Sequence, residues 1–134
     1  MGSFKNCLSL ETVIIGDSLT SIGDHAFASC SSLSSITLGD SLTSIGEGEF
    51  AYCSSLQSIT LGDSLTSIGD AAFESCINLQ NITLGDDLAI IGAFGFNKCG
   101  RLETVSIGSG IENIDFSAFA NCASLTSFTI NGTY

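Results

Sequence analysis

The chain has 134 residues, of which 44% are hydrophobic, with 15 glycines and no proline, a composition that excludes a disordered protein. Its formal net charge is -11 and it has only three basic residues, so nucleic acid is excluded as a partner because no basic surface could neutralise several phosphates. No apolar run approaches the length of a membrane span, so we expect no membrane insertion.

A cysteine recurs at every 23rd position along the whole sequence. Other apolar residues keep the same phase, including a leucine three residues after each cysteine and a phenylalanine three residues before the next. One turn of 23 residues cannot bury its own apolar side, whereas stacked turns bury it and make each row a continuous ladder. The sequence therefore predicts a repeat solenoid. The six cysteines are Cys7, Cys30, Cys53, Cys76, Cys99 and Cys122.

Within one repeat, the elements follow in a fixed order. The alternating apolar residues of 33–38 predict a strand, and Gly39 and Asp40 after it predict a turn. Residues 42–45 predict a second, shorter extended segment. The spacing of Ala26, Phe27 and Cys30 predicts that each turn ends in a short helical piece, here residues 24–30. The fold class expected is an α/β repeat solenoid with parallel strands, about five full 23-residue turns and partial ends.

The repeat pattern Cys-x-x-Leu-x-x-Ile-x-Leu…Leu-x-x-Ile-Gly-x-x-Ala-Phe-x-x-Cys carries a family resemblance, and the strings CSSLSSITLGDSLTSIG and CSSLQSITLGDSLTSIG are close to it. Over residues 4–130 the chain resembles the BspA-like leucine-rich repeats, although Gly39 stands where the family often has proline and Glu49 where other turns have alanine. The resemblance implies a leucine-rich-repeat right-handed superhelix. It also implies a cell-surface or secreted protein that adheres to a protein ligand, such as a host extracellular-matrix or cell-surface protein.

We interpret residues 1–3 as an expression start and residues 4–134 as a single solenoid domain taken from a longer protein. The six cysteines are expected to be free and buried. Close-spaced zinc-binding pairs are absent from the sequence, and equivalent cysteines in stacked turns lie nearly one strand spacing apart. A disulfide needs Cβ atoms about 3.5–4.5 Å apart. No cofactor is expected.

An aspartate recurs at the first turn of four successive repeats. Aspartate at this place serves turn and cap geometry, which is the simpler interpretation. The alternative is calcium binding between rows, because carboxylate oxygens are suitable calcium ligands. The residues concerned are Asp17, Asp40, Asp63 and Asp86.

Small polar residues alternate with the buried positions of the predicted first strands. They suit a solvated sheet face, and the alternative is a surface that binds protein or glycan. A regular hydroxyl array also permits ice binding as a minor alternative. The candidate binding face consists of Thr12, Ser35, Thr37, Ser58, Thr60, Asn81, Thr83, Thr104 and Ser106.

The fourth and fifth repeats carry three apolar residues at positions that are small or polar elsewhere. Ile90, Phe94 and Phe116 form either a repacked corner of the core or an exposed interaction patch. His25 is the only histidine, and no nucleophile, phosphate-loop or paired-acid motif accompanies it, so we expect no enzyme.

Two functional classes follow from these residues. The first is a non-enzymatic protein-recognition or adhesion scaffold. The second is a structural module that stacks end to end as a homo-oligomer, because neither end shows a polar capping repeat and solenoids need such caps. Exposed strand edges favour contacts of this head-to-tail kind.

Overall fold

The computed structural model describes residues 4–131, so residues 1–3, interpreted above as an expression start, lie outside it, as do residues 132–134. The described residues form ten short strands, which are β1 (Thr12–Ile14), β2 (Ser35–Thr37), β3 (Ser44–Ile45), β4 (Ser58–Thr60), β5 (Ser67–Ile68), β6 (Asn81–Leu84), β7 (Ile90–Ile91), β8 (Thr104–Ile107), β9 (Asn113–Ile114) and β10 (Ser127–Ile130). They make three parallel sheets, ordered β1-β2-β4, β6-β8-β10 and β3-β5-β7-β9.

The register of the strands shows that one 23-residue repeat is one coil. In the first-strand sheets Thr12 is aligned with Ser35, which is aligned with Ser58. In the second-strand sheet Ser44 is aligned with Ser67 in the same way. Each pair is separated by one repeat, so equivalent residues form rows along the solenoid. The predicted parallel-strand solenoid of about five turns is confirmed.

The segments before each cysteine differ from the prediction. Residues 24–29 form consecutive turns, and the described residues contain no helix. His25 and Ser29 have positive φ angles of 57° and 61°, which no α-helix tolerates. The Phe27 N–H donates to the Glu49 carbonyl of the next coil, 2.9 Å away, so it is not available for a helical bond. The α/β class is therefore corrected to an all-β solenoid, and the right-handed superhelix stays a prediction.

A stack of phenylalanine rings forms the centre of the core. Consecutive rings lie 5.1–5.5 Å apart between centroids and are within 13° of parallel. The three central rings are fully buried. At the C-terminal side the stack ends in an edge-to-face contact between Phe119 and Phe128. The stacked rings are Phe4, Phe27, Phe50, Phe73, Phe96 and Phe119.

The cysteines line the core beside this stack. All six are free, and the four central ones are buried. Each thiol from Cys30 onward donates to the carbonyl of a phenylalanine in the preceding coil, as Cys53 Sγ does to Phe27 at 3.3 Å. The periodic cysteine therefore fills a small apolar position and also supplies a weak donor to a backbone oxygen between coils.

The first-strand sheet is interrupted between the third and fourth coils. Strands β4 and β6 are not hydrogen-bonded, although the second-strand sheet and the phenylalanine stack continue past this point. A Cβ atom built on Gly39 would lie 2.5 Å from the Gly16 carbonyl oxygen, whereas one built on Gly85 meets nothing within 4 Å. At the first turn, the second and third coils each lie against the coil before them, and so does the fifth. The third and fourth coils are separated there.

This difference between two equivalent glycines gives a test of the interruption. We expect Gly39→Ala to destabilise the protein by about 1–3 kcal/mol, because its methyl group forces two backbones apart. We expect Gly85→Ala to be neutral or to stabilise by about 0.4–1 kcal/mol, because alanine reduces the freedom of the unfolded chain. Urea denaturation measures both. Equal destabilisation by the two substitutions would show that the coils are in contact at Gly85 in solution.

Candidate functional site

The predicted binding face lies on the first strands, and the structure leaves its side chains at least partly exposed. The register aligns Thr37 with Thr60 and Thr83 with Ser106. Thr104 Oγ1 donates to Asn81 Oδ1, which connects two neighbouring strands of the face through their side chains. The interruption between β4 and β6 divides the face into two parts. The structure brings the nine predicted residues to one side of the solenoid, but not into one regular array.

Two members of the aspartate row bond to the backbone of the following coil. Asp17 Oδ1 accepts the N–H of Asp40 at 3.2 Å, and Asp86 Oδ1 accepts the N–H of Ser109 at 3.1 Å. These two carboxylates thereby connect the first turns of neighbouring coils, and the role of the whole row in turn and cap geometry stays a prediction. Within residues 4–131, no three His, Cys, Asp or Glu side chains are grouped so that they could hold a metal ion. Calcium binding stays a prediction, and a calcium titration that leaves the melting temperature unchanged would contradict it.

The three residues of the predicted apolar patch are exposed. The exposed fractions are 46% for Ile90, 45% for Phe94 and 96% for Phe116. Phe94 also has a positive φ of 59°, a conformation that costs a bulky residue free energy. All three side chains are therefore accessible to solvent rather than packed in the core, and their role as one interaction patch stays a prediction.

Glu49 is fully buried, which the sequence interpretation did not foresee. Its Oε1 accepts the Gly46 N–H at 2.9 Å, and its Oε2 has no hydrogen-bond partner. Burial raises the pKa of this carboxyl to about 8, a shift that the Gly46 N–H opposes and the nearby Asp24 charge adds to. The neutral, protonated form is favoured in the folded protein at neutral pH.

A chain of polar side chains on the turn side was also missed. Tyr52 Oη donates to Glu74 Oε1 at 3.4 Å, and Asn97 Nδ2 donates to Glu74 Oε2 at 2.9 Å. Asn121 Nδ2 donates to Asn97 Oδ1 at 3.1 Å. Glu74 and Asn97 interrupt a row that holds Ala28 and Ala51, so this change in the row was the signal for them.

The buried cysteines are chemically protected. Burial raises the pKa of Cys53 to about 12 and that of Cys76 well above its ordinary value, so little thiolate forms near neutral pH.

We expect a disulfide reagent such as DTNB at pH 8 to react with at most Cys7 and Cys122, which are only partly buried, and with all six cysteines after the protein is unfolded in guanidinium. Rapid reaction of four or more thiols in the native protein would contradict this arrangement.

The class that the fold defines is a β-solenoid with two parallel strands per 23-residue coil and a row of buried cysteines. The chain matches the family described as BspA type leucine rich repeat region, in six copies over residues 1–126. It therefore belongs to this family, and the predicted resemblance is confirmed. No curated protein matches the chain. Residues 4–131 hold no helix that is long and apolar enough to cross a membrane.

Several solved structures are similar to this chain, among them three leucine-rich proteins. A leucine rich cell surface protein from Faecalibacterium prausnitzii is 34% identical with a TM-score of 0.87, covering 91% of this chain and 32% of that one. A leucine-rich repeat protein from T. pallidum is 29% identical with a TM-score of 0.86, covering 97% and 64%. One from Bacteroides ovatus is 29% identical with a TM-score of 0.79, covering 95% and 39%. The chain thus spans less than two thirds of each of these proteins.

Proposed function

We propose that this chain is a non-enzymatic scaffold that recognises a protein at a cell surface. The observation that carries the proposal is the first-strand face, where in-register strands present rows of hydroxyl and amide side chains away from the core. Side chains that project from paired strands offer several hydrogen-bonding groups with little rearrangement, which lowers the entropic cost of binding. The similarity to a cell surface protein supports a surface or secreted location.

A binding screen against immobilised host extracellular-matrix and cell-surface proteins tests the proposal. For any ligand found, Thr37→Lys and Thr60→Lys together place two long charged side chains on neighbouring strands of the face. We expect them to weaken binding at least tenfold. The control pair, Ser31→Lys and Ser124→Lys, adds the same charge at exposed turn positions and should leave binding unchanged. Equal effects of the two pairs would place the ligand elsewhere.

The apolar patch is a second candidate contact within the same function. The side chains of Ile90, Phe94 and Phe116 are exposed, and exposed apolar residues that adjoin one another often mark an interface. We expect Phe94→Ser to leave the melting temperature unchanged or slightly higher, since the side chain is exposed. Partner binding or self-association should fall. A large loss of stability would instead assign Phe94 to the core.

The alternative function is end-to-end assembly of the 134-residue chain. Strands β1 and β10 each pair on one side only, and Phe4, at one end of the ring stack, is 51% exposed. A second copy could continue both ladders, and such a contact propagates. Sedimentation velocity from about 10 µM to 1 mM tests this assembly, and a sedimentation coefficient that stays at the monomer value over this range argues against it.

Ice binding is not favoured by the interrupted face and would require measurable thermal hysteresis.

A further inference from the structure

A groove on the turn side of the solenoid lies away from the first-strand face. Its volume is about 230 Å³. Lys5 lies at one end and Glu74 at the other, Ala28 and Ala51 lie between them in the same row, and Tyr52 lines one side. Three coil spacings of about 4.8 Å make it roughly 14 Å long. The groove therefore has a basic end, an acidic end and a largely apolar floor.

Sequence changes along two rows create this groove. The row of Lys5 carries alanine in the next two coils and then the longer side chain of Glu74. The neighbouring row carries His25, then Gly48 and Ala71, and the His25 ring lies over Gly48. The space over the small residues is therefore bordered by the larger side chains of Lys5, His25 and Glu74 and is open to solvent. A single extended side chain fits such a space.

The acidic end of the groove is held in a fixed orientation. Glu74 Oε2 accepts from Asn97, which is buried and in turn held by Asn121, and Glu74 Oε1 accepts the longer bond from Tyr52. Both donors to the carboxylate are neutral, so its negative charge is not compensated by them. Oε1, which makes only the 3.4 Å contact, remains able to accept a stronger bond from a cation.

We propose that this groove binds an arginine side chain of a partner polypeptide. The guanidinium lies at Glu74 and against the ring of Tyr52, which is 54% exposed, and the aliphatic stem lies over Ala51. The net charge of -11 attracts cationic groups to the protein. Lys5 repels a second cation at the far end and so fixes the direction of the side chain. The proposal does not depend on the first-strand face.

The test is an NMR titration of the whole ¹⁵N-labelled chain with N-acetyl-arginine amide. The matched probe is N-acetyl-citrulline amide, which has the same length but no charge. We expect saturable shifts of the Ala51, Tyr52 and Glu74 amides with the arginine probe and an affinity several-fold lower for citrulline. Glu74→Gln should raise the Kd about threefold to fivefold, the size of an exposed ion pair. Tyr52→Leu should raise it about twofold to fivefold.

The control variant is Asp63→Asn, which removes an exposed carboxylate from a different turn and should leave the Kd unchanged. Equal effects of Glu74→Gln and Asp63→Asn would show nonspecific attraction to an acidic protein and overturn the proposal. Equal binding of the two probes would overturn it as well. So would tighter binding of N-acetyl-glutamate amide at these amides, because the groove would then select anions through Lys5. Thermal melts show that each variant is folded.

Discussion

Raising the pH from 5 to 9 is expected to destabilise the folded protein by about 4 kcal/mol through Glu49 alone. The carboxyl is buried without a partner for Oε2, and its pKa in the folded state is about 8 against 4.5 for an unperturbed glutamate. A difference of 3.5 units corresponds to about 5 kcal/mol in total at 1.36 kcal/mol per unit, of which about 4 kcal/mol falls between pH 5 and 9 because the unfolded carboxyl is already mostly ionised at pH 5. This is comparable to the whole stability of many domains.

The sign follows from the protons bound in each state. Above pH 4.5 the unfolded chain loses the Glu49 proton, whereas the folded chain keeps it until the pH approaches 8. The folded state therefore binds more protons between these values, and its stability falls as the pH rises through this window. Below pH 4.5 both states are protonated, and above pH 8 the full cost is present and constant.

Glu49→Gln isolates this contribution, because glutamine keeps the volume and an acceptor for the Gly46 N–H but does not titrate. The quantity to measure is the free energy of unfolding of Glu49→Gln minus that of the original protein, obtained by urea denaturation. We expect this difference to become more positive as the pH increases from 5 to 8. Glu49→Ala is the second variant, since Ala26 and Ala72 occupy this row in neighbouring coils. A stability difference that does not vary with pH would show that Glu49 reaches solvent in the folded state.

The rows of the core could be predicted from the sequence because stacking forces equivalent residues together. The predicted leucine, isoleucine, cysteine and phenylalanine rows are ladders in the structure. The helical piece could not be predicted correctly, because the spacing of Ala26, Phe27 and Cys30 fits a helix and a series of turns equally well. The choice is made by hydrogen bonds to the next coil, such as Phe27 N–H to Glu49 carbonyl, which are not local in sequence.

The irregular features of the candidate sites were harder to predict. Glu49 was recognised as a departure from the alanine row, but one sequence cannot show whether a carboxylate at a core position turns outward or remains buried. The interruption between β4 and β6 has no sequence signal, since Gly85 continues an unbroken glycine row. The groove beside Tyr52 depends on side chains from four coils, and only the three-dimensional register brings them together.

Replacing Phe73 by alanine is expected to destabilise the protein by about 3–5 kcal/mol. Its ring is fully buried and stacked on Phe50 at 5.4 Å and on Phe96 at 5.1 Å, so the substitution leaves a cavity that neighbouring coils cannot close. Phe119→Ala is the matched control, because that ring is only partly buried and stacks on a single parallel ring. We expect it to cost less than about 3 kcal/mol, measured by urea denaturation followed by circular dichroism.

The stack also predicts coupling between neighbouring rings. Aromatic pairs contribute about 0.5–1.5 kcal/mol beyond the burial of their surface. In a double-mutant cycle, Phe50→Ala and Phe73→Ala should therefore show an interaction energy of this size, whereas Phe27→Ala and Phe96→Ala, which are not in direct contact, should be additive within about 0.5 kcal/mol. Additivity of the adjacent pair would mean that the rings act only as independent apolar residues. Coupling confined to neighbours would instead show that each coil is stabilised by the ring on either side of it.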